Sequence, residues 1–149
     1  MVQVRPFEEA DSEQASRLIV RCLREVNSRD YTGEQIQRIC EAFTPQQVAR
    51  RFGECTSFVA VKDEQVIGTA TLKGNEVGSV FVTPDLHGLG IGKLLMNHVE
   101  SVAAKSGLTT LTAYASLAAI GFYKHLGYRP IREKVEPDGE VTLEIEKHL

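Results

Sequence analysis

A chain of 149 residues with 42% hydrophobic and 25% charged residues has the length and composition of one ordinary globular domain, which we expect to span 1–149. Its formal net charge of -3 argues against nucleic-acid binding, because phosphate contacts need a concentrated excess of lysine and arginine. Its longest apolar runs are too short to cross a bilayer, and acids with a proline occupy the N-terminal MVQVRPFEEADSEQ, so we expect a cytoplasmic protein with no membrane partner.

Helical periodicity dominates the first third of the chain, after one short strand. Apolar residues recur at helical spacing behind Asp11 or Ser12, either of which can cap a helix. Thr32 and Gln35 form a capping-box pattern before a second helix, which Pro45 ends before opening a third. The predicted elements are a strand at 2–6, helical patterns over 15–26 and 36–43, and a short helix at 46–52.

The rest of the chain alternates between strands and helices. Short β-branched runs from Ser57, in SFVAV, VIGTATLK and EVGSVFV, predict an antiparallel meander. Helical spacing from Ile91 to Ala103 predicts a helix of about four turns that Gly107 ends. A strand is predicted in LTTLTAY and a short helix in SLAAIGFYKHLG. A closing hairpin is predicted from YRPIREKV and EVTLEIEKH. This order predicts an α/β (α+β) fold, with a mixed, mostly antiparallel sheet of six to seven strands and helices on both faces.

The cysteines indicate packing rather than chemistry. Cys22, Cys40 and Cys55 are odd in number and widely spaced, so they form neither a CxxC motif nor a complete disulfide set. Cys22 and Cys40 fall on apolar helical positions, so we interpret them as buried small hydrophobes rather than reactive thiols. The histidine spacing does not resemble a zinc site, and we predict no metal.

The segment HGLGIGKLL, residues 87–95, places three glycines at alternate positions before the long helix. The Walker phosphate-loop pattern fails at its first glycine and its final hydroxyl residue, and the dinucleotide pattern fails because Lys93 replaces its third glycine. No acid lies between Asp85 and Glu100, although the first turn of a helix usually favours one. Converging N–H groups at this helix start therefore predict an anion site. The alternative is that the glycines only allow close packing or a strained turn.

The segment VFVTPDLHGLGIGKLLMNHV is similar to the acetyl-CoA signature of the GNAT superfamily of N-acetyltransferases, (Q/R)xxGx(G/A) after a strand ending in V-x-P. YASLAAIGFYKHLGY resembles the second motif of the superfamily, and the resemblance covers the chain from Ser57 to Val135. His87 departs from it, since the family prefers Gln or Arg there. The resemblance implies an acetyl-CoA-dependent enzyme that acetylates a primary amine of a small molecule or peptide by direct transfer in a ternary complex.

The resemblance also implies where the donor acetyl-CoA would bind. Its pantetheine arm would pair, like an added strand, with the backbone of Val80, Phe81 and Val82. Gly78 and Ser79 are compatible with a bulge that splays the sheet beside this strand. The diphosphate would lie on the glycine segment, formed by His87, Gly88, Leu89, Gly90, Ile91, Gly92 and Lys93. Ser116, in place of a common Asn, would contact the coenzyme arm or, alternatively, cap the following helix.

Acetyl transfer to an amine needs a neutral amine, donors for the oxyanion and a proton for the departing thiolate. Tyr123 matches the tyrosine that protonates the coenzyme A thiolate in many family members; the alternative is that it only packs its helix on the sheet. Glu76 lies eleven residues before His87, where one branch of the family carries its base. It would act directly or through a water, and the alternative is a solvated strand end.

The sequence gives the least information about the residues that bind the acceptor. In the family, the first two helices and the terminal hairpin line the acceptor site. The resemblance therefore makes four residues candidates to bind a cationic amine through negative charge and aromatic rings: Asp30, Tyr31, Glu34 and Phe43. An exposed helix entrance is the alternative. A second hypothesis is a catalytically weak acyl-CoA-binding sensor or partner-binding module, and a homodimer paired through the sheet edge or hairpin is also left open.

Overall fold

The computed structural model describes the backbone of residues 1–149 and every side chain except those of Asn27 and Asp30. The strands are β1 (Gln3–Pro6), β2 (Thr56–Lys62), β3 (Gln65–Lys73), β4 (Glu76–Val82), β5 (Thr110–Ser116), β6 (Arg129–Val135) and β7 (Val141–His148). The helices are α1 (Ser12–Glu25), α2 (Gly33–Glu41), α3 (Pro45–Gly53), α4 (Ile91–Lys105) and α5 (Ile120–His125). Among the described residues, no helix has the length and hydrophobicity that a membrane crossing requires.

A single sheet holds the seven strands in the order β1-β2-β3-β4-β5-β7-β6. The meander of β2, β3 and β4 and the hairpin of β6 and β7 are confirmed, and the parallel pairing of β4 with β5 makes the sheet mixed. On one face α4 and α5 cover a core that includes Leu95, Val99 and Leu111. On the other face α1, α2 and α3 enclose a core that includes Ile19 and Phe52. The predicted fold class is therefore confirmed.

Local capping follows the sequence in one helix and departs from it in another. The capping box of α2 is confirmed, because Gln35 N donates to Thr32 Oγ1 at 3.1 Å and Thr32 N donates to Gln35 Oε1 at 2.8 Å. Asp11 stands at the predicted N-cap position of α1, but neither described side chain, Asp11 or Ser12, hydrogen-bonds to the N–H groups of the first turn. The Asp11 carboxylate instead accepts two hydrogen bonds of 2.9 Å from Arg5, which attaches β1 to the start of α1.

The strand β4 separates from β5 soon after it begins. Their parallel register joins Glu76 to Thr112 and Val77 to Ala113 and stops there, although β4 continues to Val82. Against β3, the register shift adds one residue to β4, next to Ser79, whose φ of 47° is uncommon for a residue with a side chain. The predicted bulge is confirmed, and it turns β4 away from β5 so that a cleft opens between them.

Candidate active site

Two cavities meet along the splayed end of β4. The hairpin cavity, of about 380 Å³, lies between strand β4, the helices α1 and α2, and the hairpin of β6 and β7. The glycine cavity, of about 680 Å³, lies between β4, the start of α4 and α5. Both are lined by Val26, Val80, Val82, His87, Ala118, Ala119 and Tyr123. Because they share this wall, the two cavities form one continuous cleft.

The glycines of the 87–95 segment have two different roles. Gly88 and Gly90 each have a φ of 82°, in the left-handed region that favours glycine. A Cβ atom built on either would meet no protein atom within 4 Å, so the space above the loop is open. A Cβ on Gly92 would lie 2.8 Å from the Phe122 ring, so Gly92 permits close packing of α4 against α5. Close packing and an unusual turn are therefore both present, at different positions, and the open space above Gly88 and Gly90 leaves the anion site as a prediction.

The backbone N–H groups in the middle of this segment lack an acceptor among the described residues. Among the described residues, none of the six N–H groups from Gly88 to Lys93 has a partner, and the first to bond is Leu94 N, to Gly90 O at 3.0 Å. The first turn of α4 carries no acid, and the Asp85 carboxylate is bound by the Arg21 guanidinium at 2.7 and 2.9 Å. Six donors without a described acceptor at the positive end of a helix suit an anion.

The carbonyl of Val82, at the end of β4, accepts hydrogen bonds from two side chains. His87 Nε2 lies 2.7 Å from this oxygen and the Cys22 Sγ lies 3.1 Å from it. Since a carbonyl only accepts, His87 carries its proton on Nε2 here. Of the three residues predicted to pair with an added strand, Val82 thus has its carbonyl already engaged.

The cysteines are packed as predicted. Cys22 and Cys40 are buried, and Cys55 is partly so. Burial raises the pKa of the Cys22 thiol to about 12 and also raises the pKa of Cys55. A thiol with a raised pKa is protonated at neutral pH and is a poor nucleophile. Cys22, although it lines the hairpin cavity, is therefore a neutral hydrogen-bond donor.

Tyr123 lies in the wall that the two cavities share. Its side chain is 7% exposed, and its ring packs edge-on against Phe122 and Tyr128, with centroids 5.1 and 5.5 Å away. Its hydroxyl has no partner among the described side chains. Because no fully buried side-chain oxygen of the described residues lacks a partner, this hydroxyl is not fully buried, and the cleft is the open space that Tyr123 lines. Burial raises the pKa of Tyr123 above its ordinary value, and the phenol stays protonated at neutral pH.

A polar network behind Tyr123 was missed by the sequence reasoning. The Tyr128 hydroxyl donates to Glu100 Oε2 at 2.9 Å, and Lys147 Nζ donates to Glu100 Oε1 at 2.9 Å. These bonds join α4 to β7 and fix the Tyr128 ring against which Tyr123 packs. Only the folded chain brings the three groups together.

The predicted acceptor residues are divided by the fold. Tyr31 and Phe43 line the hairpin cavity, and the Phe43 ring lies edge-on to Phe81 at 5.9 Å. Glu34 is exposed in the first turn of α2, outside the lining of both cavities. The side chain of Asp30 lies outside the described residues.

The remaining two candidates lie at the ends of strands. Ser116 ends β5 and lines the hairpin cavity, and it also stands at the N-cap position of the following helical turn, although its side chain makes no cap hydrogen bond there. Glu76 begins β4, is exposed and lies outside the lining of both cavities. It shares a strand face with Gly78, which does line the hairpin cavity. Gly78 therefore places no side chain between Glu76 and that cavity.

Glu140 is a lining carboxylate that the sequence reasoning missed. It lies in the turn before β7, its side chain is 16% exposed, and it accepts a hydrogen bond of 3.0 Å from Arg38 of α2. Asp138 accepts from the same guanidinium, and Gln35 Nε2 donates to the Asp138 carbonyl at 3.1 Å. The hairpin is thus attached to α2 across the cavity. Arg38 and Glu140 are 102 residues apart, so no local pattern could indicate the pair.

Comparisons with known proteins agree with this geometry. The profile of the Acetyltransferase (GNAT) domain family matches residues 27–149. Peptidyl-lysine N-acetyltransferase YjaB of Salmonella typhimurium is 32% identical over 118 residues, which cover 78% of each chain. The crystal structure of a GCN5-related N-acetyltransferase from Rhodopseudomonas palustris has a TM-score of 0.93 at 24% identity, covering 99% of this chain and 95% of that one. PaiA N-acetyltransferase from Thermoplasma acidophilum, in complex with coenzyme A, has a TM-score of 0.81 at 19% identity over 100% and 99%. At these identities the two structures show the fold.

Proposed function

Because this chain belongs to the GNAT acetyltransferase family, we propose that it moves an acetyl group from acetyl-CoA to a primary amine of a peptide or small molecule. The observation that carries the proposal is the row of six N–H groups at the start of α4 that have no acceptor among the residues the structure describes, beside a cleft that leads past Tyr123. A diphosphate suits those donors. The name of the Salmonella relative supports a lysine side chain as the acceptor.

Acetyl-CoA, when bound, supplies an acetyl group activated as a thioester. The N–H groups of 88–93 would hold its diphosphate, with His87 at one side of the loop and Lys93 at the other. Val80 and Phe81 would offer backbone groups to its pantetheine arm along the splayed edge of β4. Ser116, across the cleft on β5, would contact the same arm.

In the proposed reaction the neutral amine attacks the thioester carbonyl, a C–N bond forms and the C–S bond breaks. Tyr123 donates its hydroxyl proton to the departing sulfur, and the proton released by the amine nitrogen restores the phenol. Burial opposes charge on both the phenol and the thiolate, so the raised pKa of Tyr123 does not prevent this transfer. Direct transfer is supported by the buried, protonated state of Cys22, the thiol that lines the cleft.

The proposal is tested by measuring thiol release from acetyl-CoA in the presence of a lysine peptide with a blocked N-terminus, together with mass analysis of the peptide and the enzyme. We expect one free thiol for each acetylated lysine. Acetylated enzyme after incubation with acetyl-CoA alone would overturn direct transfer. Tight acetyl-CoA binding with no thiol release across an amine panel would instead favour the acyl-CoA-binding sensor.

Glu76 is proposed as the base that takes a proton from the acceptor ammonium through a water. Glu76→Gln should lower kcat/KM at pH 7 and lower it less at pH 10, because an amine of pKa about 10.4 loses its proton without help as the pH rises. The measurement is a pH profile of kcat/KM for both proteins. Glu133→Gln, at an exposed position of β6 outside both cavities, is the control. A Glu76→Gln profile parallel to that of the parent protein would remove Glu76 from the mechanism.

A further inference from the structure

The hairpin cavity carries an unbalanced negative charge on one wall. Among its described lining residues, Glu140 has the only carboxylate, and none is a lysine or an arginine. Arg38, which lies outside the lining, contacts both Glu140 and Asp138. One guanidinium against two carboxylates leaves a net charge of about one negative unit, which favours a cation at this wall.

The other walls of this cavity are largely apolar and aromatic. They include Val26, Tyr31, Ile39, Phe43 and Tyr114. Two of these rings already attract a cation of the protein: the Arg51 Cζ lies 5.5 Å from the Phe43 centroid, and Lys134 Nζ lies 4.7 Å from that of Tyr114. A carboxylate beside apolar and aromatic walls suits a positive charge at the end of an aliphatic chain.

The ion pair with Arg38 holds Glu140 in position without removing its charge from the cavity. Asp138 accepts from the same guanidinium and also accepts from Glu140 N at 3.0 Å, so the turn keeps its own hydrogen bond. If Glu140 turns toward a ligand in the cavity, Arg38 therefore retains a carboxylate partner. A binding group held in place in this way loses little entropy when a ligand arrives.

We propose that Glu140 binds the acceptor as an ammonium ion and selects a protonated aliphatic amine over a neutral one. The inference rests on the proposed function, and it gives that site its substrate class. The bound ammonium gives a proton to Glu76 through a water, as proposed above, before its nitrogen attacks the thioester, so Glu140 acts in acceptor binding.

The test compares two acceptors at pH 7.5: N-acetyl-lysine methylamide, which is protonated, and an arylamine, which is neutral. Glu140→Gln should raise KM for the lysine derivative by about 10- to 100-fold, as expected for loss of a charge-assisted hydrogen bond. The KM for the arylamine and the Kd for acetyl-CoA should stay within about twofold of the parent values. An equal rise in KM for both acceptors would overturn the inference.

Glu144→Gln is the matched control. Glu144 lies on β7, its side chain is 19% exposed, and it pairs with Arg132 at 3.0 Å, much as Glu140 pairs with Arg38, but it lines neither cavity. It should leave KM unchanged for both acceptors. A rise like that of Glu140→Gln would assign the effect to the hairpin as a whole and overturn the inference.

Arg38→Gln separates binding from a structural role. It breaks the same ion pair but keeps the carboxylate of Glu140. The lost positioning of Glu140 and the lost competing charge of Arg38 act in opposite directions, so KM for the lysine derivative should change far less than in Glu140→Gln. If Glu140 only anchors the hairpin, Arg38→Gln and Glu140→Gln will raise KM alike, which contradicts the inference.

A further measurement uses the parent protein and needs no variant. Raising the salt concentration should raise KM for the lysine derivative and leave KM for the arylamine unchanged, because salt screens the charged pair. Absence of this difference would count against Glu140 even if its variant did not fold. Absence of turnover with every amine would overturn the proposed function, whereas turnover that Glu140→Gln leaves unchanged would overturn the present inference alone.

Discussion

Replacing Tyr123 by phenylalanine should lower kcat about 10- to 100-fold and leave the Kd for acetyl-CoA within about twofold. The substitution removes the hydroxyl that reaches the cleft and keeps the ring that packs on Phe122 and Tyr128. Because the hydroxyl has no partner among the described side chains, its loss should leave the melting temperature unchanged. Single-turnover kinetics and calorimetry with acetyl-CoA measure the two quantities. An unchanged kcat would exclude Tyr123 as the proton donor.

Tyr128→Phe is the matched control for this variant. Tyr128 packs against the same ring, but its hydroxyl donates to Glu100. Its removal should lower the free energy of unfolding by about 1 to 3 kcal/mol, since it leaves a part-buried charged acceptor with one donor fewer. A smaller effect on kcat than that of Tyr123→Phe is expected. Equal losses in kcat would indicate that packing, rather than the Tyr123 hydroxyl, supports turnover.

The pH dependence of stability provides a second readout for Tyr123. Burial raises its pKa in the folded chain, so folded Tyr123 keeps its proton at a pH where the unfolded residue ionises. Its contribution to stability is full below about pH 10 and is lost as the pH rises further. Tyr123→Phe removes this contribution, so the variant should lose less stability than the parent protein between pH 9 and 11, as measured by urea unfolding.

Replacing Gly90 by alanine should weaken coenzyme A binding about 10- to 100-fold, equivalent to about 1.4 to 2.8 kcal/mol. Gly90 has a φ of 82° immediately before α4, and a side chain disfavours that conformation. The backbone would relax toward negative φ, and the neighbouring N–H groups would then no longer point toward the same anion. The added methyl would also occupy the open space above the loop. Calorimetric titration with coenzyme A measures the loss.

Gly107→Ala controls for backbone strain. Gly107 lies just past the other end of α4 with a φ of 90°, and a Cβ there would also meet nothing within 4 Å. Both variants should lose about 1 to 2 kcal/mol of stability. Only Gly90→Ala should lose affinity for coenzyme A. If the two variants bind coenzyme A equally well, the N–H groups from Gly88 to Lys93 are not its diphosphate site.

Local patterns in the sequence predicted much of the donor side of the cleft. The capping box of Thr32 and Gln35 and the meander from β2 to β4 were predicted from a few adjacent residues, while the bulge at Ser79 was implied by the family resemblance and was compatible with Gly78 and Ser79. The open glycine loop before α4 was predicted from alternating glycines and a missing acid. These features are local because turns, caps and periodicity depend on hydrogen bonds and side-chain contacts within a few residues.

The acceptor side depended on contacts between distant parts of the chain. Local composition suggested Glu34, which the fold leaves outside the cavity, while it gave no indication of Glu140, which the hairpin carries against Arg38 of α2. The Tyr128, Glu100 and Lys147 network likewise forms only when α4 meets β7.

The sequence by itself determined the strands, the helices and a helix start suited to an anion, because each is a property of neighbouring residues. The tertiary structure alone decided which carboxylate lines the cleft, and that Tyr123 lines the same cleft with a hydroxyl that has no partner among the described residues. The reason is physical: burial and charge pairing depend on which surfaces the sheet and helices bring together, and residues far apart in the chain contribute to each.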